Sequence, residues 1–183
     1  MGRMRAVLVA IGLWMSVGAA APAMAADAPL QSFFGAYEGT TEVHGDETRS
    51  RELRTIIRPF GEAGFSIRWR TLIFKTDRDP TGRTQVIYFE PLASNPRIYA
   101  ATDPDEATGI ASDLPLDGGP FAWARIAERT LTVHVLTISE AGDYVLQSYD
   151  RTLTDDGLVL AFVRIGNGEV EHRVGGVMRR VAE

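Results

Sequence analysis

"FSIRWRTLI", Phe65 to Ile73, changes its chemistry at every residue. Phe65, Ile67, Trp69, Thr71 and Ile73 fall on one side of an extended chain, and Ser66, Arg68, Arg70 and Leu72 on the other. A period of two is the signature of a strand with one face in a core and one toward water. "TLTVHVLTI", Thr130 to Ile138, repeats it, with Leu131, Val133 and Val135 opposite Thr132, His134 and Leu136.

Outward from these two runs, the chain reads as short apolar or alternating segments broken by turn residues. "ELRTIIRP", "TQVIYFEP", "RIYAAT", "FAWARIAE", "YVLQSYDRTL", "LVLAFVRI" and "VEHRVGGVMRRV" are all of this kind. They are rich in β-branched and aromatic residues, and no apolar stripe at helical spacing runs longer than two turns. Asp156-Gly157 and Asn167-Gly168 read as hairpin turns, since both pairs tolerate positive φ. Nine or ten strands joined by hairpins predict an all-β fold, an antiparallel up-and-down barrel of about eight to ten strands. A β-sandwich is the alternative, less favoured because sandwiches need longer crossing connections. "LVLAFVRI" is apolar on both faces, so its outer face is expected to be covered by a loop or a partner subunit.

The first 25 residues read as a signal peptide: a basic start "MGRMR", an apolar run, then "PAMA" with Ala23 and Ala25 at small-x-small spacing. Cleavage after Ala25 leaves a short tail, residues 26–32, and one barrel domain, residues 33–183. It removes Arg3 and Arg5, leaving 17 basic against 24 acidic residues and a net charge of −7. An acidic chain without a basic stripe excludes nucleic acid as a partner and argues against anionic membrane surfaces. The chain has no cysteine, so neither a disulfide nor a lipid-modified amino terminus is available. The expectation is a periplasmic or secreted protein with no integral membrane segment after cleavage, held together by packing alone. The stretch Thr102 to Pro120 is the one long connection without strand pattern, placed naturally over one mouth of a barrel.

"FFGAYEG", Phe33 to Gly39, gives the first strand a glycine-x-aromatic opening, Gly35 and Tyr37. In this, in its size and in its hairpin order the chain resembles the lipocalin-like (calycin) superfamily, and more broadly small secreted bacterial proteins. The resemblance implies that Tyr37 plugs the closed end of the barrel and that a basic residue of the last strand, Arg173 or Arg179, covers it. It also implies a lumen that holds one small apolar or amphipathic molecule.

Catalytic and metal chemistry have little to draw on. His44, His134 and His172 lie far apart, and no serine sits in a Gly-x-Ser-x-Gly elbow. No cofactor, metal site or catalytic residue is assigned. In "YVLQSYDRTL", Gln147, Tyr149 and Arg151 share a face and form a polar ladder if that face is the lumen. Tyr149 and Arg151 then resemble, in spacing, the pair that holds a carboxylate in fatty-acid-binding barrels. With the opposite parity, Arg151 is a surface residue beside Asp150. In "TQVIYFEP" the parity is open, with either Val86 and Tyr88 or Ile87 and Phe89 inward. The cavity candidates are Tyr37, Ile67, Trp69, Tyr88, Trp123, Val133, Gln147, Tyr149 and Arg151. The expected function is binding or carriage of a small apolar or amphipathic ligand. A filled barrel that serves as a structural module for an envelope protein partner is the alternative.

Overall fold

The computed structural model describes residues 26–42, 50–75, 78–103 and 120–182. Leu30–Phe33 forms a short 3-10 turn, and ten strands follow: β1 (Gly35–Glu42), β2 (Ser50–Phe60), β3 (Gly64–Lys75), β4 (Arg78–Leu92), β5 (Asn95–Thr102), β6 (Phe121–Ala127), β7 (Thr130–Ile138), β8 (Tyr144–Leu153), β9 (Gly157–Gly166) and β10 (Glu169–Val181). Each pairs antiparallel with its sequence neighbours, and β1 pairs with β10, so the sheet closes. Closure leaves no unpaired edge, which an open sheet of this size would have to protect. The up-and-down barrel expected from the hairpin order is the observed fold, and the sandwich is not. The expected leader and residues 104–119 of the long connection lie outside the described residues, though both ends of that connection leave the barrel at the same rim.

The two alternating runs behave as read. Phe65, Ile67 and Trp69 on β3, and Leu131 and Val133 on β7, are buried in the lumen, while Arg68 and Arg70 are exposed. The β3–β4 register sets Phe65 opposite Phe89 and Ile67 opposite Ile87, which fixes β4 with Ile87 and Phe89 inward. Tyr88 therefore stands on the outer face, its ring 4.8 Å from that of Phe60.

β6 also inverts an expectation. Ala122, Ala124 and Ile126 face the core and Trp123 faces outward, stacked on His134 with ring centroids 4.8 Å apart. The lumen opposite these alanines is already filled by Phe65, Phe89 and Tyr99, whose rings lie 4.9 and 5.3 Å from one another around Phe65. A tryptophan could not enter that space without displacing a ring.

The turns divide in the same way. Asn167 (φ 48°) and Gly168 (φ 89°) take the positive φ their sequence predicts. Asp156 and Gly157 do not; Gly157 is glycine because a Cβ there would run into the Met178 carbonyl oxygen on β10.

The doubly apolar β9 is uncovered by any described residue. Val159 is 40 % exposed and its β10 partner Val177 is 62 % exposed, with Ala161 and Gly175 beside them. No helix among the described residues is long and apolar enough to cross a membrane.

On the outer face His134 accepts or donates a 2.9 Å hydrogen bond with Ser148. Burial, and secondarily the Arg125 charge, hold its pKa below the ordinary 6.5, against an opposing pull from Asp150. The unfolded chain therefore takes up the proton first. The stability His134 contributes is complete above pH 6.5 and is lost as the pH falls through the lower folded value. Urea midpoints measured from neutral to mildly acid pH are expected to fall less steeply for His134→Gln than for the wild type. Parallel slopes would contradict this.

Candidate ligand-binding site

The strands run alternately, so one end of the barrel gathers the starts of β1, β3, β5, β7 and β9, and the other gathers their ends. The first end is plugged. Residues leading into β1 fold across it: Phe33 is fully buried, and the Tyr37 hydroxyl donates to the Phe33 carbonyl at 2.9 Å. Burial raises the Tyr37 pKa above 10.0, which keeps this donor protonated, although the Arg180 charge pulls the other way.

The cation over Tyr37 is Arg180, its guanidinium carbon 4.9 Å from the ring centroid. It also donates to the Phe34 carbonyl at 2.6 Å and to the Ser32 carbonyl at 3.0 Å, tying plug to barrel. The expected Arg173 and Arg179 point outward instead. The reason is a β-bulge: the β9–β10 register shifts between Val170 and His172. One extra residue reverses which side every later residue faces. Without it Arg173 and Arg179 would be inward and Arg180 outward.

Above the plug, Phe65, Ile67, Phe89, Leu131, Val133 and Leu158 fill the lumen as one cluster. Halfway up, the filling stops. A cavity of about 520 Å³ occupies the other half, within the range of small-molecule sites. Its walls carry Trp69, Leu160, Phe162 and Val174, with Thr41, Thr55, Gln85, Gln147, Tyr149 and Arg164 interspersed. The Trp69 and Tyr149 rings approach to 5.6 Å although their strands lie on opposite sides of the barrel. They bridge the lumen and bound the hollow half. Phe162 continues this aromatic lining, 4.7 Å from Tyr149.

The polar ladder faces the lumen. Tyr149 donates its hydroxyl to Gln147 Oε1 at 2.9 Å. Arg151, below it, is 1 % exposed, and its Nη1 donates to the Tyr149 carbonyl at 3.4 Å. Its guanidinium carbon lies 5.8 Å from the Trp69 centroid and 5.7 Å from that of Tyr149. Burial lowers its pKa from the usual guanidinium range to about 10, with Tyr149 and Asp150 opposing. At neutral pH it remains a cation. Asp150 is turned to the outer face, where it accepts a 2.7 Å hydrogen bond from Thr132.

Of the nine residues singled out in sequence, Trp69, Gln147, Tyr149 and Arg151 line the cavity. Ile67 and Val133 are inward but lie in the filled half, and Tyr37 belongs to the plug. Tyr88 and Trp123 are outside. Sequence reasoning missed Phe162, Arg164, Leu160 and Val174. Their parity follows from that of Tyr149 and Arg151 through the β8–β9 register, Tyr149 opposite Phe162 and Arg151 opposite Leu160. The Asn167-Gly168 turn carries that parity into β10 only once the bulge is known.

The closed ten-stranded antiparallel barrel is compatible with a calycin-like architecture. No protein-family model, curated protein or solved structure matches the chain.

Proposed function

We propose that this is an exported, lipocalin-like binding protein that holds a small amphipathic ligand inside its barrel. The observation that carries the reading is the asymmetry of the lumen. One half is filled by a buried hydrophobic cluster, while the other keeps about 520 Å³ open between aromatic and polar walls. A barrel that served only as a rigid body would gain stability by filling that half as it fills the first. The leader-like first 25 residues support an envelope or extracellular location.

Val174 is on the cavity wall and only 9 % exposed, so Val174→Phe inserts a ring into the open space. Titration with the neutral fluorescent probe N-phenyl-1-naphthylamine is expected to show saturable binding to the wild type. The variant should bind at least about tenfold more weakly, a difference of ~1.4 kcal/mol. Equal uptake by both proteins would place the probe elsewhere and remove the cavity as the site.

The exposed Val159 and Val177 favour a second reading, in which the outer face of β9 and β10 is covered by an envelope protein. Under it, Val177→Asp should abolish association with that protein and leave probe uptake intact.

A further inference from the structure

We propose that the ligand is a monoanionic amphiphile that enters head first and seats its charged group on Arg151, a proposal that rests on reading the cavity as a ligand site. Arg151 is almost wholly buried and yet forms part of the cavity wall. Its Nε has no hydrogen-bond partner among the described residues. A buried guanidinium without a counter-charge is unfavourable, and rings at nearly 6 Å soften that cost without removing it. None of the described residues that line the cavity is acidic.

A second atom points the same way. Thr41 Oγ1 and Arg151 Nε are the two buried side-chain polar atoms without a partner among the described residues, and both residues lie on this one cavity. Buried polar groups are rarely left unmatched, so two on a single cavity mark a site that completes itself with a polar group.

The charge count selects the class of head. Arg164, nearer the open end, is compensated by Glu171, with Nε to Oε2 at 2.6 Å. Arg70 also borders the cavity but is exposed at its mouth, so among the described residues that line the cavity Arg151 is the one buried cation. A monoanion neutralises it, whereas a dianion would bury excess negative charge. Carboxylate and sulfate-ester heads share this chemistry, and both accept from the edge of a guanidinium. The apolar remainder runs from Leu160, level with Arg151, along Phe162 and Val174 to the mouth, where exposed Arg70 raises the local concentration of anions.

Calorimetric titration of the full chain with decanoate, decyl sulfate and decanol at neutral pH tests the proposal. The two anions are expected to bind at least about tenfold more tightly than decanol, since charge-assisted hydrogen bonds to a desolvated cation are the strong ones. In Arg151→Met that preference should vanish, with decanol affinity retained. Binding by decanoate alone of the two anions would support the proposal and narrow the head to a planar carboxylate. Decanol binding as tightly as decanoate in the wild type would overturn it while leaving the cavity a ligand site. A preference that survives Arg151→Met would also overturn it, and binding of none of the three would remove both readings. The comparison within the wild type stands whatever the variant's fold.

Discussion

Arg151→Met is expected to make the ligand-free protein more stable, by about 1–4 kcal/mol. Removing a partner usually costs stability, but among the described residues Arg151 has no carboxylate hydrogen-bond partner to orphan. What its removal relieves is the burial of a cation, and methionine occupies similar volume with an apolar chain. At this chain length each kcal/mol should raise the melting temperature by roughly 2–4 °C. The pH dependence follows from the lowered pKa. Below about 10 the guanidinium is charged in both the folded and unfolded chain, and the whole cost is present. Above about 10 the folded protein releases the proton before the unfolded chain does, so the cost shrinks as the pH rises. The stability gap between Arg151→Met and wild type should therefore be widest at neutral pH and narrow through about 10. Thermal unfolding of both proteins across that range checks it. A variant less stable than the wild type at neutral pH would mean that Arg151 is satisfied within the protein, and the anion site would lose its basis.

Phe65→Ala should have the opposite effect, destabilising by about 3–5 kcal/mol. Phe65 is fully buried, stacked on Phe89 and edge-on to Tyr99, in the half of the lumen where side chains meet from all around the barrel. Deleting its ring leaves a void whose walls are strands locked by their neighbours, with little freedom to collapse. Phe162→Ala, in the hollow half, should cost about half as much or less, because that ring borders open space on one side. Urea denaturation of the two variants measures the contrast. Equal losses would show that the two halves are packed alike, against the asymmetry on which the ligand reading rests.

The residues show where the fold was legible. Strict alternation in Phe65 to Ile73 and in Thr130 to Ile138 fixed their faces, because every second residue was apolar over several steps. "YVLQSYDRTL" mixes polar and apolar on both faces, so its parity came only with register, through Val133 opposite Tyr149. Trp123 misled because its size suggested burial, while the lumen opposite β6 has room only for Ala122 and Ala124. Arg180 was hidden by a single bulged position near Glu171, which no turn signal announces and which reverses the remainder of β10. The aromatic, glycine-spaced opening of β1 marks the plug, as its resemblance implies, and Tyr37 is not among the residues of the cavity wall. The cup is built from the middles and far ends of strands that meet only when the barrel closes.

Native mass spectrometry of the protein purified from its own source, followed by solvent extraction, tests the central claim most directly. The expected result is a discrete added mass that leaves on denaturation and is recovered as a monoanionic amphiphile. A bare chain that takes up neither N-phenyl-1-naphthylamine nor decanoate would contradict it, and the open half of the barrel would then hold nothing but water.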